Sequence, residues 1–233
     1  MKDLIVITGA SCVSGTMELY LEQLRAAEIE VHVEDLSQVV LNGAGGNLAF
    51  KIHWLRKLTR QFAEYERLIF SDAFDVTFYG NREDVIKKIP KEGVLWAAEK
   101  NCYPDPSLAE RIPGRHPWRF ANGGLLTGTP QSLLEWCDAA ERHPLYRGEM
   151  LDQEFLNKLL AEGDPLCKID AETKLFFNLF GGYDELDFAS GMPINTACCT
   201  WPNFLHASGH WDTTAMFARY ERSLLASRSL ANS

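Results

Sequence analysis

Positive charge is in short supply. The 233 residues carry 23 Lys and Arg against 32 Asp and Glu, a formal net charge of −9. A protein that grips a phosphate backbone needs a basic face, so nucleic acid is excluded as a partner. A nucleotide is not excluded, because a bound divalent cation supplies positive charge locally. The six cysteines (Cys12, Cys102, Cys137, Cys167, Cys198 and Cys199) include no CxxC spacing. The adjacent pair Cys198–Cys199 is poorly placed to bridge itself, and a reduced, cytoplasmic chain is expected. No apolar run reaches membrane-spanning length, and "MKDLIVITGAS" reads as a first strand, not as a signal peptide. Repeats, low-complexity tracts and clear linkers are missing too, which predicts a single domain over 1–233.

What is there is a β/α alternation. "LIVIT" (4–8) is a short apolar run closed by Gly9, the pattern of a buried parallel strand. Helical spacing follows over 15–28, an alternating strand over 29–36, a Gly-rich loop over 41–47 and a strongly amphipathic helix over 48–65. A strand at 67–72, a helix at 82–89 and a strand at 93–99 complete the first half. This order predicts an α/β layer with a mostly parallel sheet flanked by helices. Residues 102–120 hold four prolines and read as a loop. A strand is predicted at 123–128, helices at 130–142 and 151–163, and a C-terminal helix at 214–230.

"TGASCVSG" (8–15) resembles the phosphate turn of short-chain dehydrogenases, but Val13 stands where a glycine would let the pyrophosphate approach. None of the seven tyrosines is followed four residues later by Lys. The NAD(P)-dependent reductase is therefore disfavoured. The strand end from Thr8 to Ser11 still lies where open α/β sheets bind ligands.

Asp72 and Asp75 follow the strand "RLIFS". Acids at the carboxyl end of a central strand face the ligand crevice, and two of them across a tight turn can share a hard cation. Asp also serves turns by bonding the backbone two residues on, so the spacing alone leaves both readings open. His206 closes the short strand "NFL", where a neutral imidazole suits a borderline cation. His206 and His210 do not form a zinc helix, since "ASG" between them is a poor helix interior. Glu99 ends "GVLWAA" on the same sheet edge as Asp72, whereas Trp96 reads as packing. Asp152 is either catalytic or a helix-start acid favoured by the dipole. Asn122 before two glycines either binds substrate or makes a turn.

Eight blocks in order resemble the glycosyltransferase domain of the procollagen lysyl hydroxylases, a GT-A-type fold. They are "LIVITGAS", "GGNLAFKIHWLRK", "IFSDAFDV", "LWAAEKNCYPD", "RFANGGLLTG", "LDQEFLNKL", "IDAETKLFFNL" and "FLHASGHW". The resemblance implies a GT-A-like Rossmann-type domain with a nucleotide-sugar half (1–100) and an acceptor half (101–233). It implies a hexosyltransferase that uses a UDP-hexose and Mn²⁺ or Mg²⁺, with a protein, glycan or small-molecule hydroxyl as acceptor. Asp72, Asp75 and His206 would hold the metal. Thr8, Lys51, Phe74 and Asp72 would contact the donor, with Phe74 stacked on uracil. Glu99, Asp152 and Gln153 would line the catalytic centre, and Tyr103 and Asn122 the substrate. Leu151 stands where the family carries an acid, and Ser208 where it carries Asn. These changes keep open a second reading, a non-catalytic UDP- or sugar-binding module.

Overall fold

The structure, a computed structural model, describes residues 2–12, 15–38, 47–189 and 191–208. The expectations for Val13, for most of the Gly-rich loop, for His210 and for the helix over 214–230 lie outside the described residues.

The apolar run near the N-terminus becomes β1 (Lys2–Ala10). Its side chains alternate between two cores. Ile5 and Ile7 pack on one face with Leu55, Phe70 and Phe155; Leu4 and Val6 pack on the other with Tyr20, Leu24 and Phe204. A strand buried on both faces belongs at the centre of a sheet. Helix α1 (Gly15–Ala26) leads to β2 (Glu30–Asp35), and both β2 and β3 (Tyr65–Ser71) pair with β1 in parallel.

Helix α2 (Leu48–Gln61) opens on Asn47, whose side chain accepts the Phe50 N–H. It buries Ile52, Leu55 and Leu58, the spacing of one helix face. The pattern predicts its continuation to Tyr65, but Tyr65 is taken by β3, where it pairs with Lys2 of β1. Strand pairing over-rides local periodicity there.

After β3 come β4 (Val76–Phe78), α3 (Arg82–Lys88) and β5 (Val94–Glu99). The proline-rich stretch contains a 3-10 turn at Pro106–Glu110 and delivers the chain into β6 (Phe120–Gly128). Strand β6 starts three residues before the expected "GGLLTG", because Phe120, Ala121 and Asn122 pair with Glu99, Ala98 and Ala97. It lies between β3 and β5 and runs against both. A long loop, not a crossover helix, feeds it, so it enters from the opposite end. Helices α4 (Pro130–Arg142) and α5 (Asp152–Glu162) follow; Gly163 closes α5 at φ 68°. Strand β7 (Lys168–Ile169) completes the order β2-β1-β3-β6-β5-β7. The sheet is mostly parallel and takes strands from both halves of the chain.

A smaller sheet, β4-β11-β8, is built from β8 (Phe176–Asn178) and β11 (Phe204–His206) with β4. A hairpin of β9 (Leu186–Ala189) and β10 (Met192–Asn195) stands beside it. These short strands have no legible period of their own. The turn before β8 hangs on Asp170, whose carboxylate accepts the N–H groups of Lys174 (3.0 Å), Leu175 (2.7 Å) and Phe176 (2.9 Å). We expect Asp170→Ala to leave those donors unmet and to cost about 3 kcal/mol, read as a lower urea midpoint. An unchanged midpoint would show the turn to be held otherwise.

Candidate active site

Three elements bring the metal-type ligands together. Asp72 is the first residue beyond β3, and its N–H donates to the Gly124 carbonyl at 2.8 Å. Asp75 precedes β4, and its carbonyl accepts the Ala207 N–H at 2.8 Å. His206 ends β11 opposite Val76. Its Nε2 lies 3.4 Å from Asp72 Oδ2 and 3.4 Å from Asp75 Oδ2. One ligand atom from each residue falls within 4.8 Å of the others.

The imidazole is aimed. His206 is 2% exposed, and its Nδ1 lies 3.1 Å from Asn122 Oδ1. The same Asn122 donates its amide N–H to Glu99 Oε2 at 3.1 Å, which fixes which end of the amide is oxygen. Nδ1 therefore carries a proton, and Nε2 faces the carboxylates. Nε2 is buried and has no hydrogen-bond partner. Buried polar atoms are seldom left unmet, and two carboxylates with an imidazole nitrogen form a donor set for a borderline divalent cation. The residues fit such an ion. Burial alone would push the imidazole down, but the facing Asp75 and Asp72 carboxylates overcome it and hold His206 at about 10. Asp72 is held below the ordinary carboxylate range: its desolvation works against the charge, and His206 and Lys51 outweigh it.

The room for this arrangement comes from two glycines. Between Trp96↔Leu126 and Ala97↔Asn122 the register of β5 and β6 shifts, and Gly123, Gly124 and Leu125 have no partner on β5. A Cβ on Gly124 would sit 2.3 Å from His206 Cε1 and 2.6 Å from Asp72 Oδ2. A Cβ on Gly123 would sit 2.6 Å from Asp152 Oδ2.

The remaining expected residues fall around this centre. Lys51 reaches across from α2, donates to the Gly123 carbonyl at 2.9 Å and lies 3.7 Å from Asp152 Oδ2. Asp152 opens α5 and accepts the Gln153 N–H at 2.7 Å. Burial pushes its carboxyl up, and Lys51 pulls part of that shift back. Glu99 is 3% exposed, and burial pushes it to about 7 against the amides of Asn122 and Gln153. Gln153 donates to its other oxygen, Oε1. Phe74 is 37% exposed between the two aspartates, and Tyr103 is 57% exposed. Thr8 is fully buried; it sits opposite Ser71 and its hydroxyl donates to the Ser71 carbonyl at 2.9 Å. Asn122 is buried behind the ligands, with both amide atoms engaged. Trp96 is core, its ring 5.0 Å from that of Trp136.

Two features escape sequence reasoning. Asn178 donates to Glu99 Oε2 at 3.3 Å and accepts the Ser208 hydroxyl at 2.9 Å; nothing in "FFNLF" marks it. The steric need for Gly123 and Gly124 also depends on a register shift that spacing does not reveal.

The family model described as the PLOD GT domain matches residues 1–223. The chain belongs to this family. It is therefore a glycosyltransferase domain. Among curated relatives, the human multifunctional procollagen lysine hydroxylase and glycosyltransferase LH3 is 29% identical over 230 residues, covering 89% of this chain and 30% of LH3. The Drosophila melanogaster procollagen-lysine,2-oxoglutarate 5-dioxygenase is 28% identical over 212 residues, covering 82% of this chain and 28% of the relative. The chain thus spans under a third of the length of these relatives. A crystal structure of a glycosyltransferase involved in glycosylation of the PBCV-1 major capsid superposes with a TM-score of 0.49 at 12% identity, covering 96% of this chain and 99% of that one.

Two outcomes are expected. Gly124→Ala removes divalent-cation binding at the Asp72–Asp75–His206 cluster in a titration while the far-UV circular dichroism is kept; retained binding would show that the Cβ is accommodated. In the cation-free protein His206 holds a proton up to about pH 10. A cation must displace it, so apparent affinity rises with pH, about 100-fold between pH 6 and 8 for one proton. A flat profile would mean that His206 does not ligate.

Proposed function

We propose that the chain transfers a hexose from a UDP-sugar to a hydroxyl group, with Mn²⁺ or Mg²⁺ held by Asp72, Asp75 and His206. One observation carries the reading: the buried Nε2 of His206 converges with two carboxylates beside an exposed aromatic ring. When bound, the cation supplies a Lewis acid that offsets charge developing on a leaving diphosphate. The chain's own residues do the rest. Phe74 offers a ring face to uracil. The Thr8 strand end lies beside Ser71, one residue before the first aspartate. Lys51 holds the Gly123 carbonyl and steadies Asp152. Asp152 and Glu99 are both pushed toward the protonated form, the direction in which a carboxyl becomes able to exchange a proton near neutral pH. Gln153 and Asn122 orient Glu99, and Tyr103 stands exposed beyond it. The acceptor is a hydroxyl on a protein side chain of hydroxylysine type, on a glycan or on a small molecule. A reduced, cytoplasmic setting belongs to the same proposal, on the spacing of the cysteines.

Calorimetric titration with UDP, with and without Mn²⁺, tests the reading. We expect Mn²⁺-dependent binding that Asp75→Asn abolishes. Phe74→Ala should weaken UDP by roughly 1–3 kcal/mol, the range for base–aromatic stacking. If UDP binds equally well without a cation, or not at all, the donor assignment fails. Binding without release of sugar from any UDP-hexose would favour the non-catalytic module.

A further inference from the structure

A cavity of about 460 Å³ lies apart from the metal-type ligands, none of which lines it. It is bounded by the proline-rich stretch, the end of α5 and the segment around β7. Its volume is within the ordinary range for small-molecule sites, roughly 300–1,000 Å³. Its walls are largely apolar, with Ile112, Leu160, Pro165 and Ile169 among them. Two basic-type side chains, Arg119 and His116, share the lining with one acid, Asp164.

Arg119 is unusual in a chain where acids outnumber bases 32 to 23. Among the described residues its guanidinium has no carboxylate partner; it lies 4.5 Å over the ring of Phe120. Its Nε–H is buried without an acceptor. His116 also carries an unmet atom: its Nε2 is 3.5 Å from Cys198 Sγ, while its Nδ1 is buried without a partner. Asp164 does not pair with Arg119: its carboxylate is engaged by His143 Nε2 at 3.1 Å and by the Leu166 N–H at 2.8 Å. Among the described residues the cavity wall thus holds a guanidinium with no ion-pair partner and with an unmet Nε–H donor.

We propose that this cavity binds a small ligand that carries an oxyanion, a carboxylate or a phosphate, on an apolar body. The guanidinium matches either group with paired N–H donors, and the apolar walls cover the rest of the ligand. Phe120, next in sequence to Arg119, pairs with Glu99, so the same strand end reaches the candidate active site.

The test uses the full chain in chelator, which keeps cations out of the Asp72–Asp75–His206 centre. Benzoate, phenyl phosphate and uncharged benzyl alcohol are titrated calorimetrically. We expect at least one anionic probe to bind roughly tenfold or more tightly than benzyl alcohol, and Arg119→Gln to remove that advantage. Binding of benzoate alone identifies a carboxylate ligand, and of phenyl phosphate alone a phosphate ligand. Because Arg119→Gln can unsettle the loop, the Arg119 Nε–H resonance, assigned through Arg119→Lys, is followed in the native chain and should move on addition of the bound probe. No preference over benzyl alcohol, or a resonance that stays in place at saturation, overturns the proposal.

Discussion

Asn122 lies buried with His206 on one side and Glu99 on the other, and each end of its amide serves one of them. The carbonyl oxygen holds the proton-bearing Nδ1 of His206, and the N–H holds a carboxylate oxygen of Glu99. The Asn122 carbonyl oxygen also accepts the Gly124 N–H at 2.9 Å, which ties the amide to the bulge of β6. The ligand end of the site and its acidic end are thus parts of one hydrogen-bonded unit. An isosteric Asp could not satisfy both neighbours, because it offers no donor to Glu99. The tautomer of His206, and with it the direction of Nε2, follows from this one side chain.

The six-stranded sheet and its helices were legible in residues with strong periodicity. Ile5, Ile7, Leu55 and Leu58 announce their faces by spacing alone. Boundaries failed where a neighbouring strand decided them: Tyr65 left its helix for Lys2 of β1, and Phe120 joined β6 through Glu99. The small sheet was largely invisible, because strands such as Phe176–Asn178 are too short to carry a period. For the site, the sequence gives away the acids and the histidine, since strand ends with Asp and a late His are visible as residue types. Asn178 was hidden because an Asn in an apolar strand has many structural uses. The placement of Thr8, with its hydroxyl turned into the sheet, could not be read from the turn that it begins.

Family membership covers most of the chain, while the chain covers under a third of LH3 and of the Drosophila relative. The conclusion about fold and class of domain therefore stands on this chain's own length. The choice of acceptor does not transfer with it. The features proposed for the donor, two aspartates with an exposed ring between them, are compact and local. The side proposed for the acceptor draws on β5, α5 and the segment after β11, where the resemblance marks Leu151 and Ser208 as departures. Ser208 nevertheless donates to Asn178, so it is joined to the Glu99 network.

The two glycines in β6 also say something about how the sequence can change. Any other amino acid brings a Cβ, and at Gly124 that one atom falls on His206 and Asp72, while at Gly123 it falls on Asp152. Neither position has a smaller or more permissive alternative to pass through. Sequence change at these two positions is therefore coupled to the side chains that face them: a Cβ at Gly124 displaces His206 or Asp72, and a Cβ at Gly123 displaces Asp152.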